Sequence, residues 1–337
     1  MKDSYRNIFL LIGVIAFIIM LFTFKIKFDE LLANIERAGF LFPIVILIWV
    51  FIYMINAISW HMIIHDHKDN HVPYLKVYKY TITGFALNYA TPFGFMGGEP
   101  YRIMELTPYV GISKATSSVI LYIMMHIFAH FCFWSASILL FIVVHPVNMA
   151  QGIMLTFAGV FCLFFMYLFM QGYKYGMAVR TIRLCQKIPF LKKWAIRFSE
   201  EKNETLELID SQIAELHKQR KKTFYTSLFL EFTTRIIGCV EVFLILRILT
   251  PDVQFFDCIL IMAFTSLLSN LFFFLPMQLG IREGGFAIAT GGLALTGAYG
   301  MYLGIITRVR ELIWIGIGML LMKIGNKNKT DINKYYK

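Results

Sequence analysis

A carboxylate and a guanidinium group stand close together in each of two largely apolar stretches of this chain. Glu99 and Arg102 lie in NYATPFGFMGGEPYRIMEL, residues 88–106, and Arg282 and Glu283 lie in NLFFFLPMQLGIREGG, residues 270–285. In each stretch a proline precedes the glutamate by seven residues, Pro92 before Glu99 and Pro276 before Glu283, with glycine in between. Glycine and proline interrupt a helix, and a short helix restarting after the break presents unpaired N–H groups and the positive end of its dipole. Pro100 suits the first turn of such a helix, because its missing N–H would find no partner there. A helix end of this kind attracts phosphate or carboxylate, and Arg102 adds a planar fork of donors that matches phosphate. Glu99 can pair with Arg102, accept from a substrate amine or hydroxyl, or carry a proton. Asn88 and Asn270 open the two stretches and join the candidate substrate contacts.

Further charges sit inside apolar runs. Glu231, Arg235 and Glu241 fall within 223–249, and Arg308, Arg310 and Glu311 within 299–322. A charge at membrane depth costs at least about 2.5–3.5 kcal/mol, which makes each a functional candidate. Arg235 lies 12 residues into its run, roughly 18 Å at 1.5 Å per residue, with Glu231 one turn away on the same face. Arg308 and Glu311 are three apart and face one another, while Arg310 points elsewhere. The plainer alternative is that these pairs only pin helices together. His126 and His130 share a helical face, but no third ligand at metal spacing accompanies them. His61, His65, Asp66, His67 and His71 read as a polar juxtamembrane loop rather than a metal box. No Ser/His/Asp set, no phosphate-cradling loop before a strand and no H-E-x-x-H occurs, so neither catalysis nor a cofactor is expected.

The elements that position these residues are membrane helices. Hydrophobic residues form 58% of the 337-residue chain, above the share in soluble domains. Several runs exceed 18 apolar residues, which indicates an all-α polytopic membrane protein. The net charge of +11 reads as basic cytoplasmic loops rather than nucleic-acid binding. Five cysteines without a C-x-x-C pair imply neither a disulfide framework nor a zinc site. The first apolar run follows Lys2 and Arg6 but lacks a small-residue cleavage site, so it reads as an uncleaved anchor.

Spanning helices are predicted at about 7–24, 40–64, 115–144, 152–172, 223–249 and 299–322. The two broken stretches then form re-entrant hairpins, since the approach YKYTITGFALNYA is too short for an ordinary span. Residues 173–222 are hydrophilic, with Lys and Arg about twice as frequent as Asp and Glu. Leu206, Ile209, Ile213 and Leu216 give their second half an amphipathic face, and Glu200, Glu201 and Glu204 at its start with basic residues at its end suit a helix dipole. Its basic end could also lie on anionic headgroups. With the N-terminus inside, the loops at 65–79, 107–114 and 173–222 and the basic tail 323–337 are cytoplasmic, and TPDVQFFD is outside. The two hairpins then enter from opposite faces as inverted repeats. A single transmembrane domain over 1–337, in the plasma (inner) membrane with both termini cytoplasmic, follows as the expectation.

At the two broken stretches the chain resembles the membrane region of the lysylphosphatidylglycerol synthases. The matching residues are PFGFMGGEPYRIMEL and, nearly 200 residues later, LPMQLGIREGGFA. The resemblance implies a flippase fold with re-entrant hairpins that moves anionic or aminoacylated phospholipid between leaflets. It points to Gly98, Glu99 and Arg102 in the first stretch and to Gly280, Arg282, Glu283 and Gly284 in the second. The bifunctional relatives append an aminoacyl-transfer domain, which is not expected here, and MQLG stands where many relatives are richer in glycine. Taken with the buried charges, the candidate substrate-binding set is Asn88, Gly98, Glu99, Arg102, Arg235, Asn270, Gly280, Arg282, Glu283, Gly284, Arg308 and Glu311. The expected partner is membrane phospholipid, with a second copy of the chain or a separate lipid-modifying enzyme beside it. Two other functions fit the same residues: an integral-membrane transferase or accessory subunit acting on a polyprenyl-phosphate lipid, and an ion-coupled transporter for a small anion.

Overall fold

The structure is a computed structural model that describes residues 11, 36–65, 72–90, 97–176, 178–187, 189, 192–218, 220–272, 278 and 280–324. The predicted span at 7–24 therefore lies outside the described residues apart from Leu11, as do Pro92, Gly94, Pro276, Asp66, His67, His71 and the tail beyond Ile324. Eleven helices follow Arg37, and no strand occurs among the described residues. They are α1 (Leu41–Ile64), α2 (Tyr74–Ala90), α3 (Gly98–Val110), α4 (Ile112–Val144), α5 (Met149–Tyr175), α6 (Ala178–Cys185), α7 (Lys192–Lys218), α8 (Lys221–Arg247), α9 (Phe255–Leu271), α10 (Ile281–Gly292) and α11 (Gly297–Lys323).

By length and composition α1, α4 and α5 are each apolar enough to cross a membrane, at 24, 33 and 27 residues. Helices α8 and α11 are as long as α5, at 27 residues each, roughly 40 Å at 1.5 Å per residue. Their lower apolarity comes from the charges they carry inward, Glu231, Arg235 and Glu241 on one and Arg308, Arg310 and Glu311 on the other, all buried. The chain is thus an all-α polytopic integral membrane protein.

Local chemistry sets the helix ends. Asn148 caps α5 through Gln151 N–H at 2.9 Å, and Gln151 Oε1 accepts from the Asn148 N–H at 3.1 Å, a reciprocal box that satisfies two end donors. Gly111, at φ 79°, is the single-residue joint between α3 and α4, a left-handed value that favours glycine. That joint corrects the predicted loop at 107–114, which is helical on both sides of Gly111 with Pro108 inside α3. The predicted loop at 65–79 likewise ends early: α2 begins at Tyr74 and takes in Lys76 and Lys79. Helix α7 is the predicted amphipathic helix, with Leu206, Ile209 and Ile213 buried. It starts earlier than its acidic residues, however, so its first turn holds Lys192 and Lys193 and no carboxylate. The dipole reading of Glu200, Glu201 and Glu204 fails for that reason.

The order long helix, two shorter helices, long helix occurs twice, as α1–α4 and as α8–α11. The first arms of the two hairpins, α2 and α9, are 17 residues each, and the second arms, α3 and α10, are 13 and 12. Packing follows the repeat. Helix α2 lies on α11, and its counterpart α9 lies on α4; α1 and α8 pack on each other between them. Two apolar cores are centred on the two repeats, each with side chains from the other: Phe224 of α8 and Met322 of α11 enter the first, and Val45 of α1 the second. Trp60, Leu87, Tyr101, Leu106, Tyr122 and Phe128 centre the first, with Ile213 of α7 added from outside. Val45, Val242, Ile245, Ile261, Phe286 and Leu303 centre the second. Tyr53, Ile82 and Trp314 join the two at the crossing of α1, α2 and α11. Only Cys162, Gly172 and Tyr173 of α5 are buried, so the rest of that helix presents an apolar surface suited to lipid chains.

Within the second repeat α11 approaches α10 so closely that a Cβ on Gly300 would overlap the Phe286 carbonyl. Gly300→Ala should therefore destabilise the protein by about 1–3 kcal/mol, as overpacking does. Gly316→Ala on the same helix meets nothing within 4 Å and should be neutral or mildly stabilising. Thermal unfolding of the two variants in one detergent checks this, and equal midpoints would contradict the close contact.

Candidate functional site

The first hairpin is built around glycine. A Cβ on Gly98 would overlap the carbonyl of Gly84, so the start of α3 rests directly on the backbone of α2. Asn88 fastens this contact: its Oδ1 accepts from Gly98 N–H at 2.7 Å, and its Nδ2 donates to Glu99 Oε1 at 2.8 Å. One of the end donors of α3 is thus already used. The other Glu99 oxygen, Oε2, is buried without a hydrogen-bond partner among the described residues.

Arg102 turns away from the hairpin tip and into α2. Its guanidinium donates to the carbonyls of Tyr80 at 3.5 Å and Thr81 at 3.3 Å and lies 3.5 Å from Glu99. The rings of Trp60, Phe85 and Tyr122 surround it at 5.2–5.8 Å, where a cation gains from their negative faces. A side chain at Gly84 would collide with it. Arg102 is 2% exposed, so in this arrangement it clamps α3 to α2 and organises Glu99.

Behind Glu99, on α4 and α8, lies a second ionisable group. Glu231 is fully buried, and its Oε2 is 2.8 Å from His126 Nδ1 and 3.5 Å from Arg235. Arg235 ties the helices together by donating to the backbone carbonyls of Glu231 and His126. The predicted Glu231–Arg235 neighbourhood is present, and His126 is its unforeseen third member. His126 and His130 stack edge to face at 5.3 Å, and no group of three metal-ligand side chains occurs among the described residues.

The second hairpin carries its charges differently. Gly280 takes a left-handed φ of 75° and caps α10, where Glu283 Oε2 accepts from its N–H at 3.0 Å. Gly284 N–H closes the first turn onto the Gly280 carbonyl at 2.9 Å. Sequence spacing associates Glu283 with the adjacent Arg282, but the two side chains pair with different partners on α11. Glu283 Oε1 binds Arg308 at 2.7 Å, and Arg282 forms a two-pronged pair with Glu311, one prong at 2.7 Å. Arg308 also reaches Glu311 at 3.2 Å, so four charges alternate in one chain. Arg282 Nε is buried with no partner among the described residues. Asn270 is spent on its own helix, donating to the Ser266 carbonyl at 2.8 Å.

One sealed pair escaped the sequence reading. Arg310, which points away from Arg308 as predicted, binds Glu241 of α8 through Nε at 2.9 Å and stacks on Trp49 at 3.8 Å. Trp49 Nε1 donates to the same carboxylate at 2.8 Å. Glu241 and Arg310 are the charges left over once the other pairs are formed, and their opposite signs were the available clue.

The structure brings the predicted residues into two groups rather than one. Asn88, Gly98, Glu99 and Arg102 of the first repeat form one group with Arg235, which α8 of the second repeat supplies, and Gly280, Arg282, Glu283, Gly284, Arg308 and Glu311 form the other within the second repeat. The end of α2 joins them: Asn88 holds Glu99, while Tyr89 lies within electrostatic range of Glu311, Arg282, Arg310 and Arg308.

Because Glu241 and Arg310 are 0% and 4% exposed, deleting one charge strands the other. Glu241→Gln should cost about 3–5 kcal/mol, by analogy with buried pairs elsewhere. Glu241→Leu combined with Arg310→Met should cost less than the sum of the two single changes. Unfolding midpoints of Glu241→Gln, of the two single changes and of their combination measure this, and additive losses would show that the charges act separately.

The chain matches the family described as "Lysylphosphatidylglycerol synthase TM region" over residues 8–318. No curated protein and no solved structure matches it. The matched span takes in both hairpins, the helices that carry their charged partners and the amphipathic helix between the repeats. The chain belongs to the lysylphosphatidylglycerol synthase transmembrane-region family.

Proposed function

We propose that this protein binds the charged headgroup of a membrane phospholipid between its two hairpins and moves or presents that lipid across the bilayer. The observation that carries the reading is the end of α2, set between Glu99 and Arg282, whose buried Oε2 and Nε have no partner among the described residues. Arg308 of the same group lies eleven residues into α11, roughly 17 Å from its start, a depth near the middle of a bilayer. Glu99 Oε2 would accept from a headgroup amine or hydroxyl, and Arg282 would donate to its phosphate. Asn88 and Glu283 frame the two groups. Arg102, Arg235, Arg308 and Glu311 then act through them, by holding the hairpins at the distance a headgroup needs.

The remaining parts of the proposal follow from charge and family. Six spans and two re-entrant hairpins place both termini and residues 173–222 in the cytoplasm, with the protein in the plasma membrane. The function is transport or presentation rather than catalysis. A lipid-modifying enzyme or a second copy of the chain would work beside it. An acyl-chain substrate also suits α5, whose apolar face stays uncovered by protein.

Glu99→Gln and Arg282→Lys test the site in protein reconstituted with a headgroup-labelled anionic phospholipid. Each removes one charged hydrogen bond to substrate, so outer-leaflet arrival followed by quenching should slow about tenfold or more, with the protein still monodisperse. Wild-type rates in both variants would contradict the two-hairpin site.

A further inference from the structure

We propose that His126 and Glu231 form a proton-binding site that couples movement of the transported species to the proton gradient. The inference rests on the transport reading above for its coupling role, but the proton site itself stands on separate residues. Glu231 lies sealed in the bundle at 0% exposure, whereas the His126 ring beside it is 26% exposed. The imidazole thus stands between an open side and a closed one. Its Nδ1 is 2.8 Å from Glu231 Oε2, so a neutral ring donates Nδ1–H to the carboxylate and keeps its lone pair on Nε2. A proton arriving from the open side binds that lone pair. The ring becomes imidazolium opposite the Glu231 side chain, and departure of the same proton restores the neutral ring.

The surroundings favour a proton over a metal cation. Arg235 is already 3.5 Å from the carboxylate, and its fixed positive charge opposes a second, multivalent one. The free oxygen Glu231 Oε1 and the ring nitrogen His130 Nδ1 are buried without partners among the described residues. They extend the polar path by one turn of α4, along which His126 and His130 meet at 5.3 Å. The other ionisable neighbours are Tyr122 and Cys132 on α4, Arg102 and Glu99 on α3 and Tyr173 on α5. Helices α1, α2 and α9 contribute the uncharged Trp60, Phe85 and Ser266 nearby.

The site is also placed to communicate. Tyr122, one turn from His126, lies within electrostatic range of Glu231, Arg235, Arg102 and Glu99 together. Its hydroxyl is buried without a partner among the described residues. A positive charge gained at His126 therefore acts on the first hairpin through Arg102 and the Glu99 carboxylate. Coupling of this kind requires only that the two hairpin arrangements bind the proton unequally.

Two measurements decide it. Histidine-selective 15N NMR of the wild type in nanodiscs reads the ring state directly between about pH 5 and 8, with His126 assigned by the signal lost in His126→Gln. The ring should change state reversibly in that range, and Glu231→Gln should move its transition while leaving the other histidines unmoved. If His126→Gln does not fold, that selective effect of Glu231→Gln supplies the assignment. A ring fixed in one state, or a transition indifferent to Glu231→Gln, overturns the proton site. In vesicles holding headgroup-labelled anionic phospholipid, a pH gradient should change the wild-type transfer rate about fivefold, and His126→Gln should lose that response. An equal response in both proteins overturns the coupling. Absence of any wild-type lipid transfer would count against the lipid reading, whereas the ring titration judges the proton site by itself.

Discussion

Charge neutrality inside an apolar bundle is the constraint on which this structure depends. Around α11 three guanidinium groups, Arg282, Arg308 and Arg310, meet three carboxylates, Glu283, Glu311 and Glu241. Around α4 and α8 two more of each, Arg102 and Arg235 with Glu99 and Glu231, balance in the same way. Each of these charges would cost at least about 2.5–3.5 kcal/mol if left alone at membrane depth. Arg282–Glu311, Glu283–Arg308 and Glu241–Arg310 join α11 to α10 and to α8, so these helices cannot part without exchanging partners. Movement of a charged substrate through such a site is then a substitution of one partner for another, not the creation of an isolated charge.

The two repeats share an architecture but divide the chemistry. The first hairpin holds its arginine in an aromatic box and leaves one carboxylate oxygen without a partner among the described residues. The second strings four charges in alternation and leaves one guanidinium nitrogen likewise unpartnered among them. An acceptor on one side and a donor on the other suit a headgroup that carries both a phosphate and an amine or hydroxyl. Symmetric packing of α2 on α11 and α9 on α4 places each hairpin against the span of the opposite repeat. A shift of one repeat therefore moves the other hairpin.

Much of this was legible in the amino-acid sequence for a physical reason. Apolar length marks membrane helices directly, and five of the predicted segments agree with the bounds of α1, α4, α5, α8 and α11 to within three residues at each end, three of them long and apolar enough to cross a membrane. Glycine and proline marked the two places where a short helix restarts, at Gly98 and at Ile281. Less legible were contacts between distant elements. Arg282 and Glu283 are adjacent in the sequence, but the helix turns neighbours to different sides, and each finds its own partner on α11. His126 read as an ordinary helix-packing histidine sharing a face with His130, because its neighbour Glu231 is 105 residues away. Residues 107–114 read as a loop because they hold a proline and a glycine; Pro108 stands inside α3, and only Gly111 breaks the helix.

Photo-crosslinking tests the central claim most directly. A phospholipid bearing a diazirine on its headgroup would be equilibrated with the protein in nanodiscs, irradiated, and its adducts located by mass spectrometry. A headgroup held between the hairpins requires adducts at the end of α2, around Asn88 and Tyr89, and at the start of α10, around Arg282. Adducts confined to the lipid-facing side of α5 and to the helix ends would contradict a headgroup site inside the bundle.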